Sequence, residues 1–463
     1  MAFLCSGRDN LCRGKLCLFE EDNAKVESQL VNSRLKRSFE VKKWYKLDNA
    51  AKLFPSVTNT KNTSVYRISA VLINPVDVDA LQQAADTVFD RFPMFTVKLR
   101  RGVFWNYLES STDKIVIAED QQYPCRNIDP TTNNGYLFKV LYYKNRVSVE
   151  VFHALTDGNG AVEFLKSLLY YYLMYMGHEI DTEDRILLAD SGVDIHDMED
   201  AFRRYYKDCY VESVRNSRAY HIKGTAFEQF GNNVVHGVVS ASQLNALAKQ
   251  KGSTITAYLS ALLSYSIYQT RIKYSKSNAP VVIAVPVNLR KAFPSRTLRN
   301  FFGVVNLGAR ITEDTTLDEL IFRMNEMLKY KTGKENLQNI IYNNVALERN
   351  KATLFVPLFL KNWFVNLGFH MLGESKRTLT LSNIGNIILP QQMNEHVELI
   401  EALVYPSNKS PMNCGISSVN DKLVITFTRN IVESDILQYF FSTLAGEAGL
   451  EVEIYSNDWG ISE

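Results

Sequence analysis

Apolar and polar positions alternate with period two over residues 65–73 (VYRISAVLI), which predicts a strand. Asn74 and Pro75 end it, and residues 77–90 change to helical spacing, with Val78, Leu81, Ala85, Val88 and Phe89 on one face and Asp77 or Asp79 able to cap the first turn. Apolar runs at 95–99 and 103–108 predict a hairpin turning near Arg101 and Gly102. A second hairpin is predicted from 136–143 and 147–152, turning at Lys144 and Asn145, and a helix over 161–175 follows it. A second series then begins, with a strand at 234–239 and a helix at 240–249. The next helix, over 254–271, aligns Ile255, Tyr258, Leu259, Leu262, Leu263 and Ile267 on one face. Strands are predicted at 281–287, 303–311 and 378–389, then a hairpin from 414–419 and 423–429 joined at Asn420 and Asp421, then a helix over 433–447. Strands and helices mix without strict alternation, which favours an α+β fold with mixed β-sheets over a doubly wound one.

The same pattern divides the chain. Residues 1–40 are polar and irregular and read as a leader. Residues 41–180 and 221–463 each offer strand, helix and later hairpin, as two versions of one unit would. Between them, residues 181–220 are rich in charge and read as a linker or surface excursion. Two stretches come nearest to a membrane span, 162–176 and 354–372. Glu163 and Lys166 break the first, and Pro357, Lys361, Asn362 and His370 the second, whereas a spanning helix needs about 20 predominantly apolar residues. Both read as buried amphipathic helices. Their aromatic content also suits an apolar acceptor or a lipid surface, although such helices usually belong to a core.

Composition narrows the class. The 463 residues are 46% hydrophobic and 22% charged with a net charge of +2, an ordinary globular balance that gives nucleic acid no basic footprint. The six cysteines (Cys5, Cys12, Cys17, Cys125, Cys209, Cys414) contain no CxxC pair and fit a reduced, cytoplasmic setting. Cys5, Cys12 and Cys17 lack a nearby fourth ligand, so no metal site is expected. Arg8, Asp9, Arg13 and Lys15 interrupt every apolar run at the N-terminus, unlike a signal peptide.

The chemistry concentrates where the strand of residues 147–152 ends. Val147, Val149, Val151 and His153 share one face at period two, so His153 closes an apolar row just before the turn-prone LTDGNG segment. A histidine there can act as a base near neutral pH, with Asp157 orienting the ring or anchoring the loop, and Gly158 and Gly160 letting the backbone turn tightly. The plain alternative is a hydrogen-bonded histidine with Asp157 capping the next helix. There is no GxSxG elbow, no GxxxxGK[ST] or GxGxxG loop, and no cluster of further metal ligands near His153.

Three downstream segments accompany the HxxxDG triplet of His153, Asp157 and Gly158: PVNLR at 286–290, FFGVVNLGAR at 301–310 and LSNIG at 381–385. In this order, over residues 44 to 450, the chain resembles the CoA-dependent acyltransferase superfamily. That superfamily includes chloramphenicol acetyltransferase, condensation domains, polyketide-associated acyltransferases and alcohol acetyltransferases, and LSNIG sits nearest the last two. Phe152 stands where the family's HHxxxDG motif has its first histidine, on the opposite strand face from His153.

The resemblance implies two similar chloramphenicol-acetyltransferase-like domains, 41–180 and 221–463, flanking a central tunnel, with a crossover segment near 378–390. It implies an O-acyltransferase that uses acyl-CoA, acetyl-CoA in the simplest case, as co-substrate and holds no permanent cofactor. His153 would be the general base, with no covalent acyl-enzyme. Asp157 would hold the loop through Arg290, or through Arg310. Ser382 and Asn383 would contact the oxyanion or substrate, or only shape a strand crossing, and Asn306 is a further candidate contact. The acceptor would be a small alcohol or a lipid-like molecule, the donor thioester could instead ride on an acyl carrier protein, and the protein would be a monomer. The competing reading is a non-catalytic or carrier-dependent member that binds thioesters without releasing thiol.

Overall fold

A computed structural model describes residues 43–120, 123–208, 218–227, 232–349, 356–446 and 449–457. Residues from Tyr45 onward form one unit, and of residues 1–44 only Lys43 and Trp44 are described. The expectations for the leader, for Cys5, Cys12 and Cys17, and for Cys209 lie outside the described residues.

In the earlier half the chain forms β1 (Val65–Leu72), α1 (Val78–Phe89), the hairpin β2 (Val97–Arg101) and β3 (Asn106–Ser110), β4 (Ile117–Glu119), β5 (Phe138–Tyr143), β6 (Arg146–Phe152) and α2 (Gly158–Tyr175). The later half continues with β7 (Asn233–Ser240), α3 (Ala241–Gln250), α4 (Ile255–Ile267), β8 (Val281–Asn288), β9 (Phe302–Ala309), α5 (Leu317–Lys331), α6 (Lys334–Arg349) and α7 (Leu358–Gly368). It ends with β10 (Leu379–Asn386), β11 (Val397–Leu403), β12 (Met412–Val419), β13 (Lys422–Arg429), α8 (Asp435–Gly446) and β14 (Glu453–Ser456).

Two mixed sheets carry the fold. The first has the order β11-β1-β6-β5-β4, antiparallel except where β4 runs parallel to β5. The second has the order β9-β8-β10-β12-β13-β7-β14, with β10 parallel to both of its neighbours. All of β1 is buried because both of its faces are covered. Val65, Ile68, Ala70 and Leu72 join the earlier half's core. On the polar side Arg67 binds Asp120 and Glu150, and the Ser69 and Ser148 hydroxyls pair at 2.9 Å. A charge in such a position needs partners of this kind, since burying it alone is costly. The β12–β13 turn places Asn420 and Asp421 at φ of 50° and 61°, the left-handed geometry that tight hairpins require.

The sheets relate the halves differently from the sequence expectation. The segment near 378–390 stays in the seven-stranded sheet as β10, and the strand that joins the earlier sheet is β11, paired antiparallel with β1. Pairing partners are set by long-range packing, which period-two alternation does not encode. Residues 181–208 are anchored rather than a simple surface excursion: Phe202 and Ala201 are fully buried, and Asp197 meets Arg91 at 2.9 Å. The Asp197 carbonyl also accepts from the Leu298 N–H at 2.8 Å, tying this segment to the loop behind the motif. Helices α5 and α6 lie outside the elements that periodicity predicts. The former is capped by the Thr316 side chain, which accepts from the Glu319 N–H, and buries Leu320, Ile321 and Met324.

Of the two apolar stretches, α2 is buried along most of its length. The other is corrected: Leu358 alone is buried among the described side chains of α7, and its aromatic face is open to solvent. No helix among the described residues is long and apolar enough to cross a membrane.

Candidate active site

A cavity of about 470 Å³, within the range of small-molecule sites, is lined from both halves of the chain by His153, Asp157, Asn288, Phe302, Ser382 and their neighbours. His153 sits one residue past the end of β6, with its backbone N–H donated to the Ser64 carbonyl at 2.8 Å. Its ring stacks on Phe54, with centroids 4.4 Å apart and planes 8° from parallel, and is flanked by Tyr66 and Phe302 at 4.9 and 5.2 Å. Phe152 packs into the core on the other side of the strand, as its place in the alternation requires.

The imidazole is held from behind. Nδ1 lies 3.1 Å from the Asn300 side-chain oxygen, and the Asn300 amide donates to an Asp48 carboxylate oxygen at 3.2 Å. Asp48 also accepts from the Ala51 N–H at 2.8 Å and lies 3.5 Å from Arg299 Nε. Burial raises the Asp48 pKa, and Arg299 with the hydrogen bonds from Ala51 and Asn300 opposes that rise; as a carboxylate Asp48 only accepts, which sets the Asn300 amide with its oxygen towards the histidine. The tautomer with the proton on Nδ1 completes this chain of hydrogen bonds, and it is the one that leaves the Nε2 lone pair as the basic site. Burial holds the His153 pKa below its ordinary value, against the opposing pull of its own backbone hydrogen bond, Asp157, Asn300 and Asp48. The ring is therefore neutral at pH 7.

Asp157 does two jobs with two oxygens. Oδ1 caps α2, accepting from the N–H groups of Asn159 and Gly160 at 3.2 and 3.3 Å. Oδ2 accepts from Arg290 Nη1 at 2.7 Å and from the Phe301 N–H at 2.8 Å. Arg290 also donates to the carbonyls of Thr297 and Arg299, so one guanidinium fastens the 297–301 loop to the motif. Arg310 is exposed at the end of β9, and the pairing goes to Arg290. Gly160 is required by space rather than by backbone angle. A Cβ there would stand 2.1 Å from Thr156 Oγ1 and 2.3 Å from the Leu298 carbonyl oxygen.

The remaining candidates separate. Gly158 lines the cavity, and a Cβ on it would meet Ile384 at 3.0 Å. Ser382 and Asn383 also line the cavity, but the Asn383 amide is already used. It donates to Thr256 Oγ1 at 2.9 Å and accepts from the Gly385 N–H at 2.9 Å, where β10 slips register against β12 and Gly385 takes a φ of 91°. Asn383 thus shapes the strand irregularity, leaving Ser382 as the side chain of that pair without such a commitment. Asn306 lies further along β9 than Phe302 and Val304 and does not line the cavity, so it is not brought to the site. Asn300, Asp48, Phe54 and Tyr66 were missed in the sequence. Asn300 directly precedes the FFG motif, and Asp48 is the one acid in the run WYKLDNAAKLFP.

No protein-family model matches the sequence, and no curated protein matches it in sequence. Solved structures do match in fold. TRI101 of F. graminearum in complex with ethyl coenzyme A has a TM-score of 0.58 at 13% identity, covering 89% of this chain and 100% of that one. Polyketide synthase associated protein 5 of Mycobacterium tuberculosis gives 0.54 at 16%, covering 87% and 97%. TRI3 trichothecene 15-O-acetyltransferase of Fusarium sporotrichioides gives 0.53 at 12%, covering 86% and 94%. A condensation domain of the CDA synthetase shares the same architecture. The chain therefore has the α+β, chloramphenicol-acetyltransferase-like fold of the CoA-dependent acyltransferases and condensation domains.

Proposed function

We propose that this protein is a CoA-dependent O-acyltransferase that moves an acyl group, acetyl in the simplest case, from a CoA thioester to a hydroxyl acceptor, with His153 as general base. The observation that carries this is the His153 imidazole in the cavity wall with its Nδ1 3.1 Å from the Asn300 side-chain oxygen, a placement that in the Nδ1–H tautomer leaves Nε2 as the base. Nε2 removes the acceptor's hydroxyl proton as the oxygen attacks the thioester carbonyl. The tetrahedral intermediate collapses, the C–S bond breaks, and the CoA thiolate takes the proton back from the imidazolium. The acyl group passes directly between substrates, so no enzyme nucleophile is needed. Ser382 is the candidate donor to the oxyanion. Asp157 and Arg290 hold the loop and stay out of the proton path. Structures of similar fold that carry coenzyme A support a CoA donor.

The test is a screen of acyl-CoA donors against alcohol acceptors, read as free thiol. His153→Ala should lower acceptor-dependent thiol release by about 10²–10⁴-fold, with an unchanged circular dichroism spectrum. Turnover equal to wild type would overturn the assignment. Wild-type protein that binds acyl-CoA and never releases thiol would instead be a thioester-binding module.

A further inference from the structure

We propose that α7 and the tip of the β2–β3 hairpin together form a docking surface for an anionic lipid bilayer. Helix α7 is amphipathic the wrong way round for a water-facing helix. Its polar residues face the protein: Asn362 accepts from the Ser56 hydroxyl at 2.8 Å, and Asn366 donates to the Ser56 carbonyl at 3.2 Å. Its apolar residues face outward. Phe359, Trp363 and Phe364 are 66%, 60% and 60% exposed, and Leu367 and Met371 extend the same stripe at helical spacing.

The hairpin tip enlarges the ridge. Val103 is 74% exposed, with Phe104 and Trp105 beside it. Three contacts lock the tip to the helix. The Leu358 N–H donates to the Val103 carbonyl at 3.0 Å, Lys361 Nζ donates to the Phe104 carbonyl at 3.2 Å, and the same Nζ lies 3.3 Å from the Trp105 ring centroid. Water-exposed apolar surface of this extent marks a contact site.

The charge around it selects the partner. Residues 99–108 and 356–373 contain no Asp or Glu, and Arg101 and Lys361 lie within them, while Arg100 is paired with Glu109 at 2.7 Å. Tryptophans and phenylalanines beside lysine and arginine suit the headgroup boundary, where the rings enter the acyl region and the cations meet anionic lipid. The ridge also leads to the cavity. Phe369, next after α7, lines it, and the helical turn Phe54–Val57 that holds Asn362 and Asn366 begins with the ring stacked on His153. If acyl transfer holds as proposed, the hydroxyl acceptor is an amphiphile resident in the bilayer.

The test is flotation of the full chain with vesicles of phosphatidylcholine alone and of phosphatidylcholine with phosphatidylglycerol, beside Trp363→Ser/Phe364→Ser and Arg101→Glu variants. The wild type should float with the anionic vesicles. The double variant should weaken binding by about tenfold or more while thiol release with a water-soluble acceptor stays unchanged, since neither residue lines the cavity. Wild-type protein that does not float, or variants that float as well as wild type, would overturn the proposal. So would a wild-type dimer that the double variant converts to monomer without any vesicle binding, which would make the ridge an interface between copies. Flotation needs no turnover, so a failure of acyl transfer leaves this result standing.

Discussion

For a histidine to serve as the base proposed here, the nitrogen facing substrate must keep its lone pair, and the Asn300 oxygen 3.1 Å from Nδ1 favours the tautomer that does so. Asn300 is a positioning residue, with Asp48 orienting its amide in turn. Asn300→Ala should lower kcat by about 10–100-fold. It should also move the acid limb of the pH–rate profile. Catalysis needs the unprotonated ring, so rate is lost as pH falls through the His153 pKa, which burial already places below the ordinary value of about 6.5. The Asn300 hydrogen bond opposes that shift, so removing it takes the limb to still lower pH. A uniform rate loss with an unmoved limb would reduce Asn300 to scaffolding. The spacing of His153 and Asp157 was legible in the sequence, because both belong to one local turn. Asn300 and Asp48 were not, because they meet the histidine only through tertiary contacts.

At the scale of elements, the join between β6 and α2 depends on Asp157 as both cap and ion-pair partner. Asp157→Asn leaves the Arg290 guanidinium buried without its counter-charge, at a cost of about 3–5 kcal/mol. The cap itself should survive, since asparagine serves that position well. The expected result is a lowered thermal midpoint together with a lowered rate, measured by calorimetry and thiol release. Rate loss at full stability would instead make Asp157 a direct participant in the chemistry. Arg290 is the leading candidate in the sequence and Arg310 the alternative, as each lies in a family-like segment. The structure separates them because Arg290 follows β8 into the loop over the motif, while Arg310 ends β9 in solvent. Helix α7 had the opposite history. Its apolar content was evident from sequence, but the protein takes the polar side, so the face expected in a core lies outside.

Across the whole molecule, buried histidines couple stability to pH. His236, stacked on Tyr455 at 4.6 Å and hydrogen-bonded to Thr426, has its pKa lowered by burial as His153 does. Both groups bind protons more readily in the unfolded chain. Their contribution is present above the unfolded value of about 6.5 and is lost as pH falls towards the folded values. The urea midpoint should therefore be lower at pH 5.5 than at pH 7.5, and His236→Phe should reduce that difference; a midpoint independent of pH would contradict the linkage. The sequence by itself determined where strands and helices lie around the motif, that the sheets are mixed, and that His153 stands at a strand end, because periodicity and turn chemistry act within a few residues. Only the tertiary structure decided that β11 joins the earlier sheet, that Arg290 takes Asp157 across 133 positions and that Asn300 takes His153 across 147. Such partners are chosen by packing and by the cost of leaving a buried polar group unpaired, neither of which a local pattern records.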